Sequence, residues 1–166
     1  GGYLNYPVSI LNNPLSVITL DRNLQVLIPY WYYNGQNRIP TIEAMEKDIE
    51  GYIGKELKSC LQNFAPFQNQ FEIREIDEPK TKVTIAEQQT ILTTTYPLLV
   101  KKKSEDATIR MTQFTASVDV QLRKMQRLAA EILDAENRLQ FFEDLTLDLI
   151  TAGKEIPFSG ITFDCG

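Results

Sequence analysis

Three β-rich segments joined by very short turns constrain the fold of this chain more than any other feature. They cover residues 71–76, 82–86 and 90–100, with turns at 77–80 and 87–88. Sequential strands with such short connections pair antiparallel, because a parallel crossover needs about a dozen residues or more. The sequence therefore predicts an antiparallel meander.

Further strand-like segments lie on both sides of this meander. Residues 15–20 and 24–28 flank a short polar connection and predict a hairpin. The strong turn dipeptide Asn34-Gly35 follows, so the second strand is expected to continue past Pro29 to that turn. Residues 107–118 favour a fourth strand, although they run directly into a helical pattern.

Helical patterns occupy two other parts of the chain. Thr41 is a candidate N-cap, and apolar residues then recur at helical spacing until Ala65-Pro66. A second helical region begins near Asp119 and carries two apolar stripes. The stripes do not join smoothly across residues 134–137, which predicts a break there.

This order of segments predicts an α+β fold: an antiparallel sheet, hairpin plus meander, packed against an amphipathic helix and a long, broken C-terminal helical region. At 166 residues the chain has the size of one domain. We expect a single domain over residues 1–166, with an extended tail at 154–166.

Charge excludes several classes of partner. The chain has 17 basic and 22 acidic residues, a net charge of -5, so its field repels phosphate backbones and anionic lipid. Nucleic acid is therefore not an expected partner. No stretch approaches the roughly 18 to 20 apolar residues of a membrane span, and the first residues do not resemble a signal peptide.

Histidine is absent, which removes the commonest general base and the commonest metal ligand. Phosphate-binding loops, nucleophile elbows and calcium loops are also absent from the sequence. Acidic residues are plentiful, but nearly all lie on polar helix faces or in turns; they include Glu46, Asp48, Glu50, Glu105, Asp106, Glu143, Asp144 and Asp148. The sequence predicts no metal, no cofactor and no catalytic residue, and a histidine-free carboxylate enzyme is the alternative.

Two cysteines admit two interpretations. Cys60 falls on the apolar face of the first predicted helix, and Cys165 is the next-to-last residue. An even, widely separated pair suits one long-range disulfide, which would pin the tail across that helix. The alternative is two free thiols, one buried and one at the surface.

The aromatic run Tyr30, Trp31, Tyr32 and Tyr33 is the candidate binding surface. On a strand these side chains point alternately to opposite faces, so two are expected to be exposed. An exposed pair can stack on a sugar ring, a peptide or a protein surface. The alternative is that all four pack within the fold.

Several short motifs together resemble uncharacterised exported or membrane-anchored proteins of archaea with small genomes. They are the opening Gly-Gly-Tyr, residues 29–35, the helix from Pro40 to Tyr52-Ile53, Cys60-Leu61 with Phe64, and Tyr96-Pro97-Leu98. The resemblance implies an extracellular or cell-surface location and an upstream membrane anchor. It also favours the disulfide, since disulfides persist in oxidising compartments.

The favoured hypothesis is a non-catalytic extracytoplasmic domain that interacts with a protein, with a second copy of itself or with the cell envelope. A small-ligand or glycan-binding module using Tyr30–Tyr33 is the first alternative, and the carboxylate enzyme is the second. An uncovered first or last strand in the sheet would favour strand addition between copies.

Overall fold

The computed structural model describes residue 4, residues 13–21 and residues 26–152. Within them antiparallel sheets combine with three α-helices, which confirms the α+β class. Contacts divide the chain into two compact units, Gly1–Gln126 and Arg127–Gly166. The single domain over residues 1–166 stays a prediction, and its tail at 154–166 lies outside the described residues.

Two small hairpins come first. β1 (Val17–Asp21) follows a short 3-10 helix and pairs antiparallel with β2 (Val26–Pro29), as predicted. The second strand does not continue to Tyr33; instead β3 (Tyr32–Tyr33) pairs with β4 (Gln36–Asn37). The turn between β3 and β4 is the predicted Asn34-Gly35, and both residues have positive φ, 50° and 73°.

Helix α1 (Ile42–Leu61) begins at Thr41, whose hydroxyl accepts a hydrogen bond from the Ala44 N–H. It ends where Gln62 adopts the left-handed conformation, at φ 48°, and a 3-10 helix (Gln62–Phe67) follows. No residue of α1 is buried, because the helix runs beside a strand of the main sheet, residues 80–85, rather than through the core.

The main sheet has four strands: β5 (Phe71–Glu75), β6 (Lys80–Ile85), β7 (Thr90–Lys102) and β8 (Thr108–Val118). The meander predicted over residues 71–100 is confirmed for β6 and β7, which pair antiparallel, but it is wrong for β5, which pairs with β7 and not with β6. The sequential antiparallel strands are β6, β7 and β8. β8 occupies one side of β7 along nearly its whole length. β5 and β6 therefore lie end to end on the other side of β7, against residues 98–102 and 90–95.

Packing in the sheet is concentrated on one face. Phe64, Tyr96 and Leu98 form a buried cluster, with Leu61, Ile73 and Val100 packed against it. Val83 and Ile85 of β6 are 1% and 0% exposed. The buried residues of β7, Thr90, Tyr96 and Leu98, are all an even number of residues apart, as expected of a strand with one face toward a core.

Two helices complete the described chain. α2 (Leu122–Leu139) and α3 (Phe141–Ala152) are separated at Gln140, where φ is 50°. The predicted break at 134–137 is therefore displaced by a few residues. No residue of either helix is buried, and Met125 and Ile132 of the apolar stripe of α2 are 60% and 42% exposed.

Candidate interaction edge

The aromatic run does not form one continuous surface. Tyr30 and Tyr32 are exposed, while Trp31 and Tyr33 are partly covered. The rings of Tyr30 and Tyr33 stack at 6.4 Å, and the Arg38 guanidinium lies 5.2 Å from the centre of the Tyr33 ring. These contacts occupy faces of the Tyr30 and Tyr33 rings on which a sugar would stack. The binding role of residues 30–33 stays a prediction.

The helical pattern placed Cys60 on the apolar side of α1, but the structure does not. The residue is exposed, because α1 covers an edge of the sheet and leaves this part of its surface to solvent. The proposed partner Cys165 lies outside the described residues, so the disulfide stays a prediction.

Two acidic residues of α1 have a role that the sequence pattern did not suggest. A Glu50 carboxylate oxygen accepts from the Val83 N–H at 2.9 Å, and a Glu46 carboxylate oxygen accepts from the Ile85 N–H at 2.8 Å. Glu46 and Glu50 are one helical turn apart, so they meet alternate residues of the neighbouring strand. The Ile85 carbonyl accepts from Arg123 Nε at 3.0 Å. The outer edge of β6 is thus blocked by side chains.

These bonds also fix the direction of the backbone groups across the sheet. In an antiparallel pair, each residue turns its N–H and C=O either toward the partner strand or away from it, in alternation. The Val83 N–H points away from β7, because it donates to Glu50. Leu92, which pairs with Val83, therefore also points its N–H and C=O away from β6 and toward β8. Leu92 pairs with Ala116, which therefore bonds to β7, while the neighbouring Thr115 and Ser117 turn outward.

The described residues give β8 none of the protection that Glu46, Glu50 and Arg123 give β6. All 11 residues of β8 are exposed. Among the described residues, no side chain or backbone group bonds to its outer edge between Thr108 and Ser117. A long edge strand with unpaired N–H and C=O groups is a template for another strand.

One face beside this edge is apolar. Ile109, Met111 and Phe114 of β8 are 65%, 44% and 36% exposed. Their partners on β7 are Val100, Leu98 and Thr94, which lie on the packed face of the sheet. Directly paired residues share a face, and the register of β7 and β8 shifts between Thr95 and Leu98, which keeps Phe114 on the face of Met111. The exposed apolar side chains therefore continue the core toward the open edge.

A cavity of about 260 Å³ lies on this same face. Its walls come from the end of α1, the 3-10 helix, β7 and β8, namely Leu57, Leu61, Phe64, Thr94, Tyr96, Leu98 and Phe114. Phe114 forms the wall on the β8 side, so the cavity adjoins the open edge.

Tyr96 supplies a hydroxyl at this cavity. Burial and, to a smaller extent, a hydrogen bond to Glu75 together raise the pKa of Tyr96 to about 12. The hydroxyl stays protonated near neutral pH, and the remaining lining residues are apolar except Thr94, so the cavity is an apolar site.

Titration of Tyr96 gives a test of this environment. The folded pKa is raised above the unfolded value of about 10, so the stabilisation is complete below pH 10 and is lost as the pH rises through 12. We expect the free energy of unfolding to fall by about 2 kcal/mol across this window. In ultraviolet titration Tyr96 should give a late ionisation step near pH 12. Tyr96→Phe should remove the late step; an unchanged titration would contradict the burial.

The opposite face of the sheet is polar. A shallow cavity of about 170 Å³ there is lined by Glu72, Arg74, Leu99, Lys101 and Thr108. Lys101 also pairs with Asp106 at 3.6 Å. The two sides of the β8 edge therefore differ in chemistry.

The second unit contains a carboxylate pair. Burial and a hydrogen bond to Glu143 raise the pKa of Glu136, while the bond to Glu136 lowers the pKa of Glu143. Both line a cavity of about 490 Å³ with Phe142, Thr146, Leu147 and Ile150. A Glu136 carboxylate oxygen also accepts from the Phe142 N–H at 3.0 Å. This bond caps the start of α3, which is a structural role for the pair.

Other site types receive no support from the described part of the chain. Its cysteine and acidic residues form no group of three that is able to hold a metal ion. None of its helices is long and apolar enough to cross a membrane. Comparisons with protein-family models, with curated proteins and with solved structures yielded no match to this chain.

Proposed function

We propose that this chain is a non-catalytic interaction domain that binds a protein partner by strand addition along the outer edge of β8. The difference between the two edges of the sheet carries the proposal. Glu46 and Glu50 block the edge of β6, whereas every residue of β8 is exposed. Proteins commonly block exposed sheet edges, so an unblocked edge of this length favours a role in pairing.

The chemistry of strand addition suits this edge. Thr115 and Ser117 each offer an outward N–H and C=O, and these groups bond an extended segment of any sequence. The exposed side chains of Ile109, Met111 and Phe114 add apolar surface, and burying this surface against a partner is favourable. A second copy of the chain and a different protein are both partners of this class.

Placement outside the cytoplasm is part of the proposal and rests on the archaeal resemblance. Cys60 is exposed, so it is accessible to a disulfide partner such as Cys165. We expect a chain isolated from an oxidising compartment to resist alkylation until it is reduced, as measured by intact mass. Two thiols alkylated in the native protein would contradict the disulfide.

The proposed function is tested with a displayed library of extended peptides, each 11 residues long to match β8. The folded chain is the target, and the chain itself is also tested for self-association by sedimentation equilibrium. We expect selected peptides, or a second copy, to perturb the backbone amide signals of β8 first. Binding that leaves β8 unperturbed, or neither peptide binding nor self-association, would rule out strand addition.

A further inference from the structure

We infer that the cavity lined by Phe114, Tyr96 and Leu98 receives one large apolar side chain of the segment that pairs with β8, with an aromatic ring as the best fit. The inference names the chemistry of the partner and rests on the function proposed above. It follows from the area of the edge, from the two faces beside it and from the size of the cavity.

The edge alone is too small for a specific complex. β8 has 11 residues, so its edge is roughly 36 Å long and, with a sheet about 10 Å thick, presents roughly 360 Å². Specific complexes bury about 800 Å² on each partner. More than half of the interface must therefore come from surface beside the edge.

Only one side of the edge is apolar. Ile109, Met111 and Phe114 lie on the face of the cavity, whereas Arg110 and Thr115 pair with Leu99 and Thr93 on the opposite face. Covering apolar surface is favourable, and covering unpaired charge is not. The additional contact area is therefore expected on the side that contains the cavity.

The size of the cavity limits what enters it. At about 260 Å³ it is smaller than the range of about 300 to 1,000 Å³ typical of sites for whole small molecules. It is larger than the cavity of about 150 Å³ that holds benzene in another protein. One aromatic or large aliphatic side chain fits between these limits. Apart from the hydroxyl groups of Thr94 and Tyr96, the lining of the cavity is apolar, so a sugar would find few polar groups.

Peptides selected against the folded chain test this inference. We expect an aromatic or large aliphatic residue to recur at one position, and its replacement by alanine to weaken binding about 30-fold or more. Leu57→Phe fills the cavity from α1. It should weaken the binding of the peptide with the aromatic residue and leave the affinity of its alanine variant unchanged. Leu99→Phe makes the same change on the opposite face and should leave both affinities unchanged. Thermal unfolding of each variant verifies that it is folded.

The outcomes separate the inference from the proposed function. If no apolar residue recurs, or if alanine replacement has no effect, the cavity is not the anchor even though β8 binds extended segments. If Thr115→Pro, which removes an outward N–H of β8, leaves peptide binding intact, strand addition itself fails. Selected peptides that bind the cavity as helices overturn both.

Discussion

The Thr115→Pro variant should remain folded and lose binding to every segment that pairs with β8. Thr115 turns its N–H away from β7, so proline at this position removes a donor that only a partner strand would use. Proline is tolerated in edge strands where the missing N–H faces solvent. The expected result is a free energy of unfolding close to that of the parent chain, with binding abolished.

Ala116→Pro is the matched control, one residue along the same strand. Ala116 bonds to β7, so proline there removes a bond within the sheet and should cost about 1–3 kcal/mol of unfolding free energy. Urea unfolding and peptide titration measured on both variants separate the two effects. Equal destabilisation by the two prolines would show that the assigned directions of the backbone groups are wrong.

Removing both blocking side chains of β6 should have the second large effect. Glu46→Ala combined with Glu50→Ala leaves the N–H groups of Val83 and Ile85 without acceptors, at residues only 1% and 0% exposed. Each unsatisfied buried N–H group costs about 1–3 kcal/mol, so the free energy of unfolding of the double variant should fall by about 2–6 kcal/mol.

Two controls accompany this double variant in urea unfolding. Glu56→Ala removes an exposed acidic residue of the same helix and should change little. Glutamine at positions 46 and 50 keeps an oxygen acceptor, so this variant should recover most of the stability. It should stay somewhat less stable than the parent chain, because a neutral amide oxygen accepts a weaker hydrogen bond than a carboxylate. A double alanine variant as stable as the Glu56→Ala control would show that these bonds contribute nothing.

The strands and the start of α1 were predictable because their causes are local. β-branched residues place β7, Thr41 caps α1, and Asn34-Gly35 supplies the two positive φ values of a tight turn. The break between α2 and α3 was placed early because the apolar stripes change register before the backbone does at Gln140.

The candidate site was not predictable, because it depends on which side of the sheet each element covers. Glu46 and Glu50 have the pattern of a solvated helix face, and their acceptor role comes from strand residues 39 and 33 positions away. The same placement of α1 leaves Cys60 exposed instead of packed. The sequence predicted β8 as a strand, but its position at an open edge is a consequence of tertiary pairing.

Amide hydrogen exchange along β8 tests the central claim most directly. In the chain alone, the Thr115 and Ser117 amides should exchange rapidly, while the Ala116 amide is protected by its bond to β7. When a pairing segment or a second copy binds, Thr115 and Ser117 should become protected and Ala116 should change little. Continued rapid exchange at Thr115 and Ser117 in a saturated complex would contradict strand addition at β8.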